Sequence, residues 1–350
     1  MPNVLMLFPH PTEKLLADVL AGIEPRERMY GLVELRERGW EVATDDSRLE
    51  GFAGWVRRHF NWMMNPLSIR TIRKLRNFDI LIVKDDFSLS AALAAWVFGK
   101  RIVFLDSMFL PPRRFWRRWS ACWCIKLADR TIAFSDTQVT EWVNRYDLPR
   151  NKFSSSIFSL DIPFYTRREP LRHKGSILLA IGRDLGRDYS TLLSAIRHSG
   201  TPLELVTLPY LSSRLDTQGV KIGIHQSLTY EALFDRYDQC LAAVVPLRAG
   251  TSYPSGIRAV LEAMVRGTPV IATRTPILEE HFQHGVHLLF AEAEDVGSLR
   301  EQINSLQSLA DGGLAMAQRA RQTVISNFGM DQYLSKLESV LSSVLDPAAS

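Results

Sequence analysis

Two arginines follow the first glycine of "SILLAIGRDLGRDYSTLLSAI", residues 176–196. The apolar run predicts a strand that ends at Gly182, and an apolar period predicts a helix that begins near Tyr189. Glycine lets the backbone approach a ligand, Arg183 and Arg187 carry forked donors, and a helix start exposes amide groups. This loop therefore predicts a phosphate-binding site. The alternative is an ion pair between Arg183 and an aspartate of the same loop.

A second loop opens a helix in "VVPLRAGTSYPSGIRAVLEAMVRGTPVIAT", residues 244–273. The amide groups around Ser255, Gly256 and Ile257 are predicted to meet a second anionic group. Glu262 lies in the apolar register of that helix, and its charge would repel the anion. Because a carboxylate accepts hydrogen bonds from neutral hydroxyls, this position predicts contact with the ribose of a nucleotide.

Both loops belong to a chain that alternates strands with helices twice. In the first half, apolar runs predict strands at 4–8, 41–44, 79–84, 101–105 and 131–135. In the second half they predict strands at 177–181, 203–208, 220–224, 241–246, 269–273 and 287–290. This alternation is typical of parallel sheets covered by helices, which bind ligands at the carboxyl ends of their strands. The predicted fold class is therefore α/β, with two doubly wound Rossmann-like domains.

A linker is predicted at residues 159–174, which contain two prolines and many charges without an apolar period. We therefore predict an N-terminal domain at 1–165, a C-terminal domain at 166–328 and a C-terminal helix within 329–350. That helix follows the last strand of the second domain, so the sequence leaves open which domain it packs against.

Positive charge is concentrated in the first half of the chain. Residues 1–165 hold 24 Lys and Arg against 19 Asp and Glu, in a chain with a net charge of +4. Within 54–76 and 111–130, basic residues alternate with Trp, Phe and Met. This mixture fits an anionic membrane surface, or solvated basic helices whose aromatic side chains face the core. The chain has no apolar run of about 18 residues, no signal-peptide pattern and no nucleic-acid motif, so we expect a cytoplasmic protein. The first of the two interpretations would place it peripherally at the inner face of the plasma membrane.

The two loops together resemble the nucleotide-sugar site of retaining glycosyltransferases of the GT-B fold, especially family 4 (glycosyl transferases group 1). Two further stretches resemble other parts of that family: "MYGLVELRERGWEV" at 29–42 and "AFSDTQVTEWVNRYDLPRNKFSSSIFSLDIPFY" at 133–165. The resemblance implies two domains that face a central cleft. It also implies that the C-terminal domain binds the nucleotide-sugar donor and the N-terminal domain binds the acceptor.

The resemblance assigns residues to the donor. Those implied to hold the diphosphate are Gly182, Arg183, Arg187, Ser255, Gly256 and Ile257. Glu262 would bind the ribose, while Leu228 and Tyr230 of "HQSLTYEAL" would contact the base. The family's first glutamate, eight residues before Glu262, is replaced by Pro254. The donor sugar is therefore not indicated.

Catalytic groups are predicted at strand ends of the N-terminal domain. His10 is expected to orient a sugar. The alternative is that it is a turn residue between two prolines. Asp85, or its neighbour Asp86, is expected to bind an acceptor hydroxyl, to act as a base, or to cap the helix near Leu89. Asp106 is the ionisable group of "VFLDSMF", where the family commonly has a histidine. Retaining transfer needs no further base, because the leaving diphosphate assists the incoming hydroxyl while arginines stabilise its charge.

The sequence thus predicts a hexosyltransferase-type glycosyltransferase that uses a UDP- or GDP-linked sugar and no cofactor. The acceptor would be a polysaccharide, a glycolipid or a lipid-linked glycan. No metal is predicted, because His287 begins a strand and leaves the helix face of His281 and His284. Two alternatives of the same fold stay open: a catalytically silent subunit that partners an active transferase, and a nucleotide-sugar epimerase or hydrolase.

Overall fold

The computed structural model describes residues 2–46, 67–85, 87–105, 115–170, 175–251 and 253–346. The chain divides into two units, of which the first comprises residues 1–159 and 330–350 and the second residues 160–329. In sequence, the second unit is therefore inserted between the body of the first unit and its last helix. The predicted boundary at residue 165 falls inside the second unit.

Six parallel strands form the sheet of the first unit, in the order β2-β1-β3-β4-β5-β6. Their bounds are β1 Asn3–Phe8, β2 Glu41–Asp46, β3 Ile80–Lys84, β4 Arg101–Leu105, β5 Arg130–Ala133 and β6 Phe153–Ser155. The apolar residues of β1, β3 and β4 are buried on both faces, as expected for a parallel sheet between helices. The sequence pattern missed β6, because only Phe153 of its three residues is buried.

Helices cover both faces of this sheet. Their bounds are α1 Glu13–Leu20, α2 Leu32–Glu37, α3 Ile69–Leu75, α4 Leu89–Val97, α5 Phe115–Leu127 and α6 Asp136–Tyr146. Apolar residues of α3, α4 and α5 form one cluster with β1, β3 and β4. Residues of α1 and α2 form a second cluster with the other face of the same strands. The first unit is therefore a three-layer structure.

The second unit contains another six-stranded parallel sheet, in the order β12-β11-β10-β7-β8-β9. The strands are β7 Leu178–Ile181, β8 Leu203–Val206, β9 Ile222–His225, β10 Ala242–Val245, β11 Val270–Thr273 and β12 Leu289–Ala291. The helices are α7 Ile162–Thr166, α8 Tyr189–Ile196, α9 Pro209–Ser212, α10 Tyr230–Gln239, α11 Ile257–Val265, α12 Pro276–Glu279, α13 Val296–Ser308 and α14 Leu314–Asn327. Every strand predicted in this half is present, with ends that differ by at most two residues.

The last helix, α15 (Met330–Leu345), belongs to the first unit. Its buried residues Leu334, Leu337 and Leu341 lie in the cluster formed by α1, α2 and the sheet. A Cβ at Gly31 would lie 3.0 Å from the Leu334 side chain, so glycine at this position allows α15 to approach closely.

Helix α7 lies within residues 159–174, where the sequence predicted a linker. Asp161 caps it by accepting a hydrogen bond from the Phe164 amide, and Phe164 and Tyr165 are buried. The Phe164 ring lies 4.9 Å from the Tyr230 ring, measured between centroids. The boundary between the two units, at residues 159 and 160, falls within the predicted linker, but the sequence pattern did not indicate this helix.

The fold prediction is confirmed: two doubly wound α/β units, each with a parallel sheet. Within the described ranges, no helix has the length and apolar character needed to cross a bilayer.

Candidate functional site

The loops after β7 and β10 lie side by side at the carboxyl ends of two neighbouring strands. The Asp188 amide donates to the Pro246 carbonyl over 3.0 Å, and the Arg248 amide donates to the Gly186 carbonyl over 2.9 Å. Ligands of parallel α/β sheets bind at such strand ends. The two sequence motifs are thus one structural feature, called the paired loops below (residues 182–188 with 246–256).

Asp184 holds Arg187 inside the paired loops. The Arg187 side chain is 5% exposed, and its Nε donates to Asp184 Oδ2 over 3.0 Å. Asp184 Oδ1 accepts from Ser255 Oγ at 2.6 Å and from the Gly186 amide at 3.0 Å. Burial raises the pKa of Asp184, but the charge of Arg187 and these hydrogen bonds outweigh burial and hold the pKa below its ordinary value. The ionised Asp184 therefore fixes Arg187 and ties the two loops together.

Gly182 and Gly256 leave room for Arg187. A Cβ at Gly182 would lie 2.1 Å from Arg187 Nε, and a Cβ at Gly256 would lie 3.3 Å from its Nη1. Gly256 also has a φ of +78°, in the left-handed region that favours glycine. Both glycines of the sequence motifs therefore leave the space that the Arg187 side chain occupies.

The Nη1 atom of Arg187 adjoins the start of α11. Among the described residues, this buried atom has no hydrogen-bond partner. Gly256 is the N-cap of α11 and offers no side chain to its first amide groups. A buried cationic donor beside a helix start that its N-cap side chain does not occupy is an anion-binding arrangement. The structure brings together five residues predicted for the diphosphate: Gly182, Arg187, Ser255, Gly256 and Ile257.

The sequence predicted that Arg183 and the amides at the start of α8 would bind phosphate together with Arg187, and the structure shows different contacts for both. Arg183 is exposed, and its Nη2 donates to the Gln226 carbonyl over 3.3 Å. Asp188 caps α8 by accepting from the Thr191 amide over 3.2 Å. Because an acid already occupies the start of α8, the start of α11, which has no side-chain cap, is better suited to an anion.

Glu262 is 6% exposed in α11, and its carboxylate accepts from three side chains. Oε1 accepts from Tyr165 Oη at 2.9 Å and from Arg258 Nε at 2.8 Å, while Oε2 accepts from Tyr237 Oη at 3.3 Å. Burial, together with the Glu262 charge, raises the pKa of Tyr237 well above its ordinary value, so Tyr237 stays a neutral donor. These contacts explain a carboxylate in the apolar register of α11.

Tyr230 begins α10, and its hydroxyl accepts from Arg258 Nη2 over 2.9 Å. Arg258 therefore connects Glu262 with Tyr230, the residues predicted for the ribose and the base. Leu228 is half-buried in the loop that precedes α10.

The three catalytic candidates belong to the first unit. His10 is exposed in the bend after β1. Asp85 follows β3 with a left-handed φ of +53° and pairs with the lysine before it. The helix-cap interpretation of Asp85 is wrong, because Ser88 caps α4. Asp106 and Asp86 lie outside the described residues, and the catalytic roles stay predictions.

Within the part of the chain that the structure describes, no group of three or more His, Cys, Asp and Glu side chains is placed to hold a metal ion. His284 Nδ1 accepts from the Phe290 amide, and His287 Nδ1 accepts from the Gln283 amide. These two histidines bind the backbone of their own turn.

Asp184, Arg258 and Tyr165 are parts of this site that the sequence analysis missed. The four-residue spacing of Arg258 and Glu262 on a predicted helix is the spacing of an ion pair and was a usable signal. Asp184 was considered only as a partner of Arg183. Tyr165 carried no local signal, because it stood in a segment without an apolar period.

Known structures resemble nearly the whole of this chain, whereas a family match in sequence spans only part of it. Residues 203–308 match the family described as Glycosyl transferases group 1. HepE from Anabaena, solved with UDP and glucose, shares 17% identity and a TM-score of 0.71 over 98% of this chain and 100% of that one. The chain has the GT-B fold of group 1 glycosyltransferases.

Two further solved structures match this chain with similar TM-scores. A glycosyltransferase from Rickettsia africae has 14% identity and a TM-score of 0.69 over 99% of both chains. Sucrose-phosphate synthase from Thermosynechococcus elongatus has 15% identity and a TM-score of 0.69 over 100% of both chains. No curated protein is similar to this chain in sequence. The segment that matches the family contains the second of the paired loops and Glu262.

The pKa of Asp184 predicts how stability of this GT-B chain depends on pH. A carboxyl with a lowered pKa in the folded state stabilises the fold above its unfolded pKa, and this contribution is lost as pH falls through the folded pKa. Asp184→Asn should therefore lower the free energy of unfolding by about 1–3 kcal/mol at neutral pH. Below about pH 4 the difference from wild type should narrow. Thermal unfolding across this pH range measures both effects.

Asp216→Asn is the control for this experiment. Asp216 also has a lowered pKa, from its hydrogen bonds with Arg197 and the Gln218 amide, but it is exposed. We expect its variant to follow the wild-type curve. Asp184→Asn and wild-type curves that stay parallel down to low pH would contradict the role given to Asp184.

Proposed function

We propose that this chain is a hexosyltransferase-type glycosyltransferase that moves a sugar from a UDP- or GDP-linked donor, with retention, to a polysaccharide, a glycolipid or a lipid-linked acceptor. The observation that carries the proposal is the buried Nη1 of Arg187, which has no hydrogen-bond partner among the described residues and adjoins the start of α11. The similarity in fold to HepE, which was solved with UDP and glucose, supports a nucleoside diphosphate as the donor's leaving group.

In this proposal the donor diphosphate binds at the paired loops. Arg187 Nη1 and the first amides of α11 donate to the phosphate oxygens, and the exposed Arg183 adds a second guanidinium from the rim. The negative charge that develops on the diphosphate as the sugar leaves is then stabilised by donors already in place. Asp184 keeps Arg187 in position without occupying its Nη1.

The nucleoside end of the donor lies along α11 and α10 in this proposal. Glu262 Oε2 has one described donor, Tyr237 at 3.3 Å, and so retains capacity to accept from a ribose hydroxyl. Arg258 already binds both Glu262 and Tyr230. A ribose at Glu262 would therefore lie beside the residue proposed to contact the base.

Nucleotide-dependent thermal shifts test the donor site, with UDP, GDP, ADP and CMP added separately. A ligand at about a hundred times its dissociation constant stabilises the fold that binds it by about 2.7 kcal/mol. We expect one diphosphate to raise the melting temperature of the wild type. Arg183→Ala should weaken its binding about tenfold, which corresponds to about 1.4 kcal/mol.

Arg319→Ala is the matched control, because Arg319 is also exposed and also donates to one backbone carbonyl, that of Val286 over 3.1 Å. Its nucleotide shift should equal that of the wild type. The donor site would be refuted if no nucleotide shifts the wild type, or if both arginine variants behave alike.

Pro254, in place of the family's first glutamate, favours one alternative, a catalytically silent subunit. Such a subunit would bind nucleotide but transfer no sugar unless a partner transferase is added. An epimerase or hydrolase would release free sugar and nucleotide from the donor without an acceptor. Product analysis with candidate UDP- and GDP-sugars separates the three. The cytoplasmic location stays a prediction.

A further inference from the structure

Three helices of the first unit cover the same face of its sheet. Buried residues of α3, α4 and α5, among them Leu75, Ala95 and Cys124, belong to one apolar cluster with β1, β3 and β4. On their other sides, these helices carry large apolar side chains that are exposed. We call this set the outer face: Ile69, Leu93, Trp96, Val97, Phe115, Trp119, Trp123 and Leu127.

The exposed large apolar residues described in α5 recur at every fourth position. Phe115, Trp119, Trp123 and Leu127 are 68%, 45%, 44% and 37% exposed, and the two tryptophan rings are 5.8 Å apart between centroids. Residues four apart lie on one side of a helix, so these side chains form a stripe. The interpretation that the aromatic residues of 111–130 face the core is wrong for Phe115, Trp119 and Trp123.

Charge distinguishes this side of the sheet from the opposite side. α3, α4 and α5 contain no Asp or Glu and six basic residues: Arg70, Arg73, Lys74, Arg117, Arg118 and Lys126. α1, α2 and α15, on the opposite side, contain three basic and six acidic residues, a net charge of −3 against +6. Residues 54–66 and 111–114, which complete the basic stretches of the sequence analysis, lie outside the described residues.

We propose that the outer face docks on a bilayer that contains anionic phospholipid. Tryptophan rests at the boundary between headgroups and acyl chains, aliphatic side chains enter the acyl region, and Arg and Lys meet anionic phosphate. Two copies joined through this face would bring two positively charged surfaces together, which opposes such a dimer. A nucleic-acid backbone would leave Ile69, Val97 and Leu127 without an apolar partner. The proposal does not depend on the donor site.

Sedimentation with vesicles of phosphatidylcholine and phosphatidylglycerol tests this surface, beside vesicles of phosphatidylcholine alone. We expect the wild-type chain to bind the mixed vesicles at low ionic strength and the neutral vesicles at least about tenfold more weakly. Binding should weaken at about 1 M salt, where the Debye length is about 3 Å. Trp119→Ser with Trp123→Ser should weaken binding to mixed vesicles at least about tenfold, because two aromatic side chains no longer insert.

The control is Leu20→Ser with Ile23→Ser, which removes two exposed apolar side chains from the end of α1 and the turn after it, outside the outer face. We expect this variant to bind as the wild type does, and circular dichroism should show the wild-type fold in both variants. The proposal is overturned if the wild type does not bind mixed vesicles, or if the tryptophan variant and the control bind alike. A wild-type dimer that the tryptophan variant dissociates, seen by light scattering, would also overturn it in favour of self-association.

Discussion

Replacing Arg266 by leucine is expected to lower the free energy of unfolding by about 3–5 kcal/mol, because it removes the buried partner of Asp238. Asp238 keeps a contact of 3.2 Å with the partly exposed Arg168. Arg266 is fully buried. Its Nη2 donates to both carboxylate oxygens of Asp238 over 2.8 Å, and its Nη1 donates to the Tyr165 carbonyl over 2.8 Å. The variant therefore leaves a buried carboxylate and a buried carbonyl in the second unit without these donors.

Unfolding in urea, followed by far-ultraviolet circular dichroism and by tryptophan fluorescence, measures this effect. All eight tryptophans lie at or before Trp142, in the first unit, so fluorescence follows the first unit and dichroism follows both. We expect the dichroism transition of Arg266→Leu to move to lower urea more than the fluorescence transition does.

Arg274→Leu is the control for Arg266, because Arg274 also binds carboxylates, Glu279 at 2.6 Å and Glu292 at 2.8 Å. It is 36% exposed, however, so water replaces the lost partner and the cost should be below about 1 kcal/mol. Equal losses in the two variants would show that the buried network contributes no more than a surface ion pair.

Arg187→Lys is expected to reduce donor affinity by about tenfold or more, while keeping the charge. A lysine ammonium lacks the planar fork by which Arg187 binds Asp184 through Nε and leaves Nη1 for a ligand. Hydrogen bonds to charged groups contribute about 1.5–3 kcal/mol each, which is roughly ten- to a hundredfold in affinity. Titration calorimetry with the diphosphate selected by thermal shifts measures the change.

The control is Arg197→Lys, because Arg197 forms a similar pair with Asp216 at 2.8 Å. It follows α8, at the opposite end of that helix from the paired loops. Its variant should bind the nucleotide as the wild type does. Unchanged affinity in Arg187→Lys would mean that Nη1 does not bind the donor, whatever the fold of the chain.

Most of the fold was predictable because parallel strands buried on both faces are continuous apolar runs. Ile80–Lys84 and Val270–Thr273 are such runs, and both were predicted to within one residue. Strand β6 has one buried residue in three, so its sequence is not an apolar run. It is a strand because it pairs with β5, which its own sequence does not show. Helix α7 was missed because its place depends on aromatic contacts with α10, which local sequence does not encode.

The site was predictable in its residue types but not in its pairings. Glycine and arginine at strand ends identified the paired loops, since glycine lets the backbone approach a ligand and arginine donates to phosphate. The pairing of Asp184 with Arg187 instead of Arg183 depends on how two loops distant in sequence meet. The three donors to Glu262 come from α7, α10 and α11, so no single segment could reveal them.

Synthesis on the ribosome separates the first unit from its own last helix. The core of that unit includes Leu334, Leu337 and Leu341 of α15, yet residues 160–329 must be made before them. At about 5–20 residues per second, this takes roughly ten to thirty seconds. For that time the nascent first unit has an uncovered apolar surface, the kind of surface to which chaperones bind, while the second unit, continuous in sequence, is free to fold as it emerges.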